Sequence, residues 1–573
     1  MYERHNYQSW QKFCRRYMLL AVFSAFFGGW VQAATVPPTA GSVIQEVPQL
    51  PTLPRWSVPE LRIQHGEVLE SAKDGARVEI PVSFLQLVGN TVLSESELLA
   101  ASGFKPGLLT LKDLRTAAGA VASYYHQHGY VLAQVMVPAQ EIDANGGPVK
   151  LLVLEGQFGA IKLNNASSLG DKWVLNLLEG GAKPGQVVSA QTLERSLLLL
   201  SDVPGVQVQS TLMPGAEVGT SDLQVEVSPG RAFSGSIDAD NEGNTYTGAS
   251  RMGATLNVNN PAGHGDLLSL RAFGSESGLL QYARFDYRQP VSQGKVGLAL
   301  THMNYSLGGI YQDLAASGVG DIATLYWTYP LVRTRKSNIN AQWSLDDKHF
   351  SDQQSASATS SDKTTQVVGF TMSGDWQDDW GLGATSSFAV TGSAGTLNLR
   401  SAASKAADFS TANTNGDYAK LVYSASRLQR INEVLGLFVS ANGQLADKNL
   451  DISEKIELGG ANGVRSYPEG EAYGDQGAVA SIELRWNLPR WSLFAQDPQL
   501  IVFADAGDVT INRNNWTSAS NSRSLGAFGL GLNLLADRNF QLKLFWACKT
   551  GSSAATSSSD ANSRTWLQFV KYL

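Results

Sequence analysis

Cysteine is almost missing from this chain of 573 residues, which contains only Cys14 and Cys548. If the amino terminus is removed, a single cysteine is left, so a disulfide scaffold is excluded. Charge is scarce too, because 17% of the residues are charged and the formal net charge is −7. Nucleic acid is therefore not an expected partner, since its recognition depends on a strongly basic surface.

Long apolar runs are missing beyond the amino terminus. The single leader run, Met18–Trp30, follows Arg15-Arg16 and precedes a small-residue site, Val31–Ala33. This order predicts a secretory signal peptide over residues 1–33; a membrane anchor is the alternative, for which the run is short. Downstream, nothing approaches the ~18 residues of a membrane helix. The mature protein is therefore either soluble and exported, or a membrane-spanning β-barrel.

Catalytic and cofactor motifs are missing as well. The sequence has no Walker loop, no serine-elbow motif and no Cys-x-x-Cys pair. In its one histidine cluster, His126-Gln127-His128, the side chains should diverge, which argues against a metal site. Gly526, Gly529 and Gly531 fall in a strand-like run, where relief of crowding explains glycine better than phosphate binding does. We predict no enzyme, no cofactor and no nucleotide site.

A proline-rich stretch opens the part of the chain that follows the leader. Residues 34–76 predict an extended linker or tether, with at most a short helix near Gly41–Val47. Two similar units come next, over residues 77–157 and 158–230, and each repeats Lys-Pro-Gly, at Lys105 and at Lys183. The repeat indicates an internal duplication.

Each unit is predicted to be a small α+β module with the order strand, helix, helix, strand, strand. Thr110 and Ser189 are the candidate N-caps of the second helices. Such modules leave sheet edges that can accept a strand from a partner; bracing one another is the alternative. The predicted elements are Val82–Val88, Glu95–Ser102, Thr110–His126, Val131–Val137 and Val149–Leu154, then Ala160–Leu163, Lys172–Leu178, Ala190–Leu200, Val206–Met213 and Asp222–Val227.

Residues 231–573 have a different sequence pattern, in which apolar and polar residues alternate and helix signals are absent. Ile339, Ala341, Trp343 and Leu345 form one such alternation. This patterning is typical of a transmembrane barrel with a polar lumen, and the length allows about 16 strands. A soluble β-sandwich is the alternative. Short turns such as Tyr329–Lys336 and long polar loops over 348–365 and 396–417 are expected at opposite ends.

A glycine-rich loop, Leu458–Gly477, carries Arg465 near its middle. Glycines allow tightly folded paths, and the arginine offers a rigid donor fork that favours a carboxylate partner. We therefore expect this loop to fold back into another part of the protein and to lock there.

With two modules, a barrel and this loop, the chain resembles the TpsB transporters of two-partner secretion, such as the haemolysin and filamentous haemagglutinin exporters. These belong to a wider superfamily of barrels with periplasmic POTRA domains. Val464-Arg465-Ser466-Tyr467 is similar to the family's Val-Arg-Gly-Tyr/Phe loop tip, and Phe503–Gly507 to its Phe-x-Asp-x-Gly strand. Asp240–Gly243 and Asn260–Asp266 resemble the start of the barrel.

The resemblance implies that Arg465 pairs with Asp505 inside the lumen of a 16-stranded outer-membrane barrel that follows two POTRA domains. Ser466 replaces the family's glycine, so a slightly different path of the loop tip is expected. Leu573 replaces the usual terminal phenylalanine, which weakens the expected assembly signal. The implied site comprises Val464, Arg465, Ser466, Tyr467 and Asp505, supported by Phe503, Gly507, Gly474 and Asp475.

The function implied by the resemblance is protein export. The POTRA domains would capture an unfolded exoprotein in the periplasm, and the barrel would pass it to the cell surface without ATP. The implied partners are this exoprotein (a haemolysin, an adhesin or a contact-dependent toxin) and outer-membrane lipid, and the transporter is expected to be a monomer. A barrel-assembly insertase, a passive porin and an adhesive barrel remain alternatives.

Overall fold

The computed structural model describes residues 37–47, 61–63, 78–142, 146–489, 496–536 and 539–573. The predicted signal peptide and most of the predicted linker lie outside the described residues. Those from Pro38 onward belong to one compact unit. No helix in the described ranges is long and apolar enough to cross a membrane.

The first module is a four-stranded sheet covered by two helices. Its elements are β2 Glu79–Val88, α2 Glu95–Ser102, β3 Gly107–Thr110, α3 Leu111–Gln127, β4 Gln134–Met136 and β5 Gly147–Leu154. The sheet order is β3-β2-β5-β4, and the first and last strands, β2 and β5, are parallel. Leu98, Leu114 and Tyr125 from the helices are fully buried against Leu151 of the sheet.

The second module repeats this plan. Its elements are β6 Gln157–Asn165, α4 Asp171–Glu179, α5 Ala190–Ser201, β7 Val206–Pro214 and β8 Thr220–Pro229, with β1 contributed by Leu61–Ile63. The first and last strands, β6 and β8, are again parallel, and the sheet order is β1-β7-β8-β6. Leu193 and Leu200 from the second helix pack on Leu223.

The sequence predicted most elements of the modules because their ends carry local signals. Thr110 caps α3, since its backbone amide donates to Asp113 Oδ2 at 2.8 Å and its hydroxyl accepts from the amide of Asp113 at 3.3 Å. The prediction missed β3, which is only four residues long, and extended β4 too far on both sides. Ser189 occupies the N-cap position of α5 but makes no side-chain capping bond.

The linker prediction was wrong in part. Residues 40–46 form a packed element, in which α1, Ala40–Val43, continues into a tight turn, Ile44–Glu46. Ala40 and Val43 are fully buried, and β1 has joined the second module's sheet. Both elements depend on contacts with distant parts of the chain, which the local proline-rich composition does not reveal.

A closed barrel of 16 antiparallel strands follows the modules. The strands are β9 Phe233–Asp240, β10 Arg251–Asn259, β11 Leu267–Ser275, β12 Leu280–Val291, β13 Gly294–Ser306, β14 Ala316–Arg333, β15 Ser337–Gln354, β16 Thr359–Asp378, β17 Ala384–Leu399, β18 Gly416–Arg430, β19 Leu435–Ala446, β22 Gln476–Asn487, β23 Gln496–Thr510, β24 Ser522–Ala536, β25 Phe540–Lys549 and β26 Ser563–Tyr572. The barrel closes where β26 pairs with β9, in a seam that runs from Gln568↔Asp240 to Tyr572↔Ser236.

The two faces of the barrel wall differ as the alternation predicts. Trp343 and Leu345 point outward and are exposed, as are Leu298 and Leu300 on β13. Side chains of the other parity face the lumen, where Lys348 forms an ion pair with Glu454 at 2.6 Å. An apolar exterior around a polar interior is what a membrane-spanning barrel requires.

The first of the two predicted long loops was mostly wrong, whereas the second is present between β17 and β18, over residues 400–415. Most of residues 348–365 belongs to β15 and β16, which are joined by the short turn 355–358. Residues 396–417 include the ends of β17 and β18, with a helix, α6 (Ala402–Phe409), between them. These strands extend beyond their apolar segments, where both faces carry serine, threonine and aspartate, so alternation of hydrophobicity no longer marks them as strands.

The second module contacts the end of the barrel that has the short turns. Arg195 of α5 donates to the carbonyl of Pro330 at 2.6 Å. Asp202 accepts from Arg333 in a bidentate pair, at 2.6 and 2.8 Å. These contacts fix which end of the barrel faces the modules.

Candidate functional site

The loop between β19 and β22 turns back into the lumen instead of extending away from the barrel. Two short strands, β20 (Ile456–Glu457) and β21 (Tyr473–Gly474), pair at its base. Val464 and Tyr467, near its middle, are fully buried and pack with Val479 and Val509, whose side chains face the lumen. We call Val464–Tyr467 the loop tip.

Arg465 is held against the barrel wall by Asp505 of β23. Its backbone amide donates to Oδ2 at 3.1 Å, Nε donates to the same oxygen at 2.9 Å, and Nη2 donates to Oδ1 at 2.7 Å. The side chains are 6% and 0% exposed. Two parallel N–H···O bonds between a guanidinium and a carboxylate are the strongest geometry for this type of pair.

A second carboxylate, which the sequence analysis missed, shares the arginine. Nη1 of Arg465 donates to Glu483 Oε1 at 2.8 Å, and Ser481 Oγ accepts from Nη2 at 2.9 Å. Arg485 in turn donates to Glu483 Oε2, so two cations face two carboxylates. The signal was available in β22, where Ser481, Glu483 and Arg485 alternate with Ile482 and Leu484 and therefore share the lumen face.

Burial would by itself disfavour the charged arginine, but its partners reverse that effect. Desolvation lowers the pKa of the Arg465 guanidinium, whereas the hydrogen bonds and charges of Asp505 and Glu483 raise it above its ordinary value. The arginine therefore stays fully charged at any physiological pH. A charge this deeply buried is stable only while both carboxylates remain in place.

Two aromatic rings cover the guanidinium. Its carbon lies 3.5 Å from the centroid of Phe503 and 4.9 Å from that of Phe545. Glycines make room for both rings, because a Cβ on Gly529 would lie 2.5 Å from Phe503 and one on Gly531 would lie 2.5 Å from Phe545. This supports crowding relief as the reason for these glycines and links them to the arginine site.

The rest of the loop tip contacts the last strands of the barrel. The Trp566 indole donates to the carbonyl of Arg465 at 2.6 Å, and the Tyr467 hydroxyl donates to the carbonyl of Ser553 at 2.9 Å. Ser466 is fully buried, and its hydroxyl donates to the carbonyl of Gly526 at 3.2 Å. Ser466 has no positive φ, so its Cβ does not strain the backbone. A Cβ on Gly507 would lie 3.2 Å from Val464, which explains a glycine there.

Two buried carboxylates connect this loop to the neighbouring loops. Glu471 accepts from the amides of Thr556 and Ser557, at 2.8 Å each, and forms an ion pair with Arg523. Asp475 accepts from the amides of Leu450 and Arg513 and pairs with Lys455 at 2.8 Å. Neither carboxylate is exposed.

Gly474 and Asp475 were predicted as supporting residues, and the structure places both at the base of the loop. A Cβ on Gly474 would lie 2.7 Å from the carbonyl oxygen of Thr510 and from Val509 Cβ. The loop base therefore lies directly against β23, the strand that carries Asp505. Val464, Arg465, Ser466, Tyr467, Phe503, Asp505 and Gly507 gather around the loop tip, while Gly474 and Asp475 lie at the base.

The helical segment α1 and its turn also lie inside the lumen. The amide of Ala40 donates to Asp352 Oδ1 at 2.7 Å, and Gln45 Nε2 donates to the carbonyl of Ile452 at 2.6 Å. Arg251 donates to the carbonyl of Glu46 at 2.9 Å, and Asn244 donates to Glu46 Oε1 at 3.0 Å. The other oxygen of this carboxylate, Oε2, is buried and has no hydrogen-bond partner among the described residues.

Both histidines of the cluster His126-Gln127-His128 bond to backbone carbonyls. His126 Nε2 bonds to the carbonyl of Ala133 at 2.9 Å, while His128 Nδ1 bonds to the carbonyl of Tyr124 at 2.8 Å. The two rings therefore serve different carbonyls, as their spacing predicted. Within the ranges that the structure describes, no group of three or more histidine, cysteine or acidic residues could hold a metal ion.

Comparison with protein families gives two matches. Residues 219–534 match the family described as haemolysin secretion/activation protein ShlB/FhaC/HecB. Residues 80–156, the first module, match the ShlB-type POTRA domain. The first match covers more than half of the chain, including the whole arginine site except Phe545 and Trp566.

Individual proteins agree with the family matches. The chain is 27% identical to the heme/hemopexin transporter protein HuxB of Haemophilus influenzae (strain 86-028NP), over 90% of this chain and 93% of that one. It is 24% identical to the outer membrane transporter CdiB of Dickeya dadantii (strain 3937), over 77% and 78%. The solved structure of CdiB from Escherichia coli matches with a TM-score of 0.70 at 18% identity, covering 88% and 93% of the two chains.

Proposed function

The chain belongs to the ShlB/FhaC/HecB family of haemolysin secretion/activation proteins, and we propose that it exports one unfolded exoprotein across the outer membrane by two-partner secretion. The barrel is an outer-membrane transporter, and the POTRA modules lie in the periplasm. Our proposed boundaries are 1–33 for the signal peptide, 34–76 for the linker, 77–157 and 158–230 for the POTRA domains, and 231–573 for the barrel.

Capture of the exoprotein is assigned to the first module. Its strand β4 is paired with β5 on one side and has no partner on the other among the described residues. Backbone groups at such an edge can bind an extended chain with little regard to its sequence. Met136 on β4 is exposed, which adds an apolar contact for a partner strand.

Control of the pore is assigned to the loop tip. Arg465 with Asp505 and Glu483 fixes the loop inside the lumen, where it fills part of the path that an exoprotein must take. Removing one partner of a buried ion pair costs about 3–5 kcal/mol. We therefore propose that Arg465 and Asp505 hold the loop in the position that transport requires, while the sheet itself closes independently of them.

The exoprotein supplies the direction of transport. The outer membrane offers no ATP, so folding of the exoprotein outside the cell draws the chain through. The transporter itself is proposed to act as a monomer in outer-membrane lipid, without enzymatic activity, cofactor, nucleotide or nucleic acid. Among possible cargoes, an exoprotein of the heme/hemopexin class is the first candidate, because HuxB matches over nearly the whole chain.

Co-expression with a candidate exoprotein tests this proposal. Cells with the wild-type transporter are expected to release the exoprotein, and cells with a transporter that lacks residues 78–230 are expected to keep it inside. A porin would keep its passive permeability after this deletion, and an insertase would alter the amounts of many other barrels. Unchanged secretion without the modules would contradict the proposal.

A further inference from the structure

The outer edge of the second module is covered by a strand from the linker. Strand β1 lies parallel to β7, with Leu61 opposite Ser210, Arg62 opposite Thr211 and Ile63 opposite Leu212. The linker thus adds a fourth strand to a sheet whose other three strands come from the module itself.

The first module has an equivalent sheet edge, and no described strand covers it there. In each module the last strand pairs in parallel with the first strand and antiparallel with the strand before it, which is β4 in the first module and β7 in the second. Strand β4 has no outer partner in the described part of the chain, whereas β7 has β1. The linker strand therefore occupies the place where a captured chain would add in the first module.

The linker strand covers only part of this edge. It pairs with Ser210–Leu212, whereas β7 runs from Val206 to Pro214. Gln207 and Gln209, which precede the covered segment, are exposed. A longer incoming strand would form more backbone hydrogen bonds to β7 than β1 does, so it can displace β1 without any requirement for a particular sequence.

A chain captured by the first module would arrive close to β7. The two modules are joined rigidly, since β5 ends at Leu154, β6 begins at Gln157, and the amide of Ala190 donates to the carbonyl of Gly129 at 2.9 Å. Leu132 of the first module also packs against the core of the second. A tethered chain has a high effective concentration at such a neighbouring site, which favours its binding there.

The same linker also carries α1, which lies in the lumen. Residues 47–60 connect Glu46 of that segment to Leu61 of β1, so this connection is anchored at both of its ends. A connection of this length has a maximum reach of ~3.3–3.6 Å per residue. While β1 stays on the sheet, α1 can move only as far as this connection permits.

We propose that β1 occupies a sheet edge to which the exoprotein binds during export. An extended segment of the exoprotein binds to the outer edge of β7 in place of β1, and this displacement frees α1 to leave the lumen. This inference rests on the proposed export function and adds a second binding edge together with a release step. Arrival of cargo at the second module and opening of the lumen are then one event.

A reversible cross-link tests the displacement. Arg62 and Thr211 are directly opposite, and neighbouring strands lie ~4.8 Å apart, within the range of a disulfide. The variant carries Arg62→Cys and Thr211→Cys together with Cys548→Ser, and it is paired with an exoprotein that the wild type has been shown to export. We expect secretion to fall at least tenfold when the disulfide forms and to recover on reduction; equal secretion in both states would overturn the proposal.

The two single-cysteine variants are the controls, and neither should respond to reductant. If the double variant secretes normally in both the reduced and the oxidised state, the proposed displacement of β1 is wrong, but the proposed export function stands. If even the wild type exports no candidate exoprotein, the proposed function itself fails. The two failures are therefore distinguishable.

A second measurement needs no exoprotein. Changing Leu61, Arg62 and Ile63 to proline removes the donors of β1, whereas changing all three to alanine keeps them. In planar bilayers, the proline variant is expected to show a several-fold higher basal conductance than the alanine variant, because α1 is freed. Equal conductance would contradict the link between β1 and α1.

Discussion

Among the described residues, two elements occupy the barrel lumen, and they are attached in different ways. The loop tip is fixed by Arg465, whose charge is matched by two carboxylates and covered by two rings. The segment 40–46 is also buried, but it is held by one hydrogen bond each at Ala40 and Gln45 and two at Glu46, and one oxygen of the Glu46 carboxylate has no hydrogen-bond partner in the described part of the chain. The difference indicates that the loop tip is built to stay in the lumen and the helical segment to leave it.

The largest expected effect is the loss of the arginine pair. Arg465→Ala and Asp505→Ala should each destabilise the seated loop tip by about 3–5 kcal/mol, because each leaves a buried charge without its partner. Secretion is expected to fall at least tenfold while the barrel still assembles. The measurements are the amount of exported exoprotein and the protease sensitivity of the loop.

The control for this prediction is Arg284→Ala, which removes another lumen arginine that pairs with Asp286 away from the loop tip. It should leave secretion close to that of the wild type. If Arg465→Ala secretes as well as Arg284→Ala does, the loop tip is not held in the way that we describe.

A smaller effect is expected from the glycine that makes room for Phe503. In Gly529→Ala the new methyl would overlap the ring and the neighbouring strand, at a cost of about 1–3 kcal/mol. Displacement of the ring should loosen the loop tip and reduce secretion partially. Gly392→Ala, at a strand position where a Cβ meets nothing within 4 Å, is the matched control. Equal protease sensitivity of the two variants would argue against a role for the aromatic cover.

Glu483→Gln should have a smaller effect than Asp505→Ala. The amide oxygen can still accept from Arg465, but the site then holds two cations and one carboxylate. A double-mutant cycle with Asp505→Asn, scored by loop protease sensitivity, should show coupling, because both residues act on one guanidinium. Strict additivity would indicate that Glu483 acts separately.

The smallest effect concerns pH and the helical segment. Burial, opposed only in part by Asn244 and Arg251, raises the pKa of Glu46 to about 7, and burial together with Glu46 raises that of Glu469 to about 8. Burial and these two carboxylates also raise the pKa of Glu457. Tyr473 faces the same cluster of carboxylates. Arg251, which is near the cluster, is paired with Asp240.

These raised pKa values determine how docking of the segment 40–46 depends on pH. When the segment leaves the lumen, Glu46 regains an ordinary pKa near ~4.3, so docking binds protons and is strongest at low pH. Docking should therefore weaken progressively as the pH rises from ~4.3 to about 7, the interval between the two pKa values of Glu46, and should change little above it. Conductance across this range is the measurement, and Glu46→Gln is expected to flatten its pH dependence. An identical profile in wild type and variant would refute the role of Glu46.

The contrast between the two elements also explains what the sequence could reveal. Helix caps such as Thr110 and the alternation around Trp343 are local patterns, so the modules and the barrel could be predicted. The pairing of Arg465 with Asp505 was expected only from the resemblance to a family. Phe545 and Trp566 join the site through the register of separate strands, and β1 depends on a distant partner, so local patterns did not identify them. A short helix near Gly41–Val47 was expected, but its packing inside the lumen depends on distant residues. Glu483 was missed although the alternation in β22 places it on the lumen face.

The most direct test compares the two elements in one experiment. Ser42→Cys and Ser466→Cys place thiols at positions that are buried in the helical segment and in the loop tip, in a Cys548→Ser background. Each variant is exposed to a membrane-impermeant maleimide, with and without an exoprotein arrested during export. We predict that export makes the thiol of the Ser42→Cys variant reactive, while the thiol of the Ser466→Cys variant stays protected. Reaction at the loop tip before, or without, reaction at the helical segment would contradict the account.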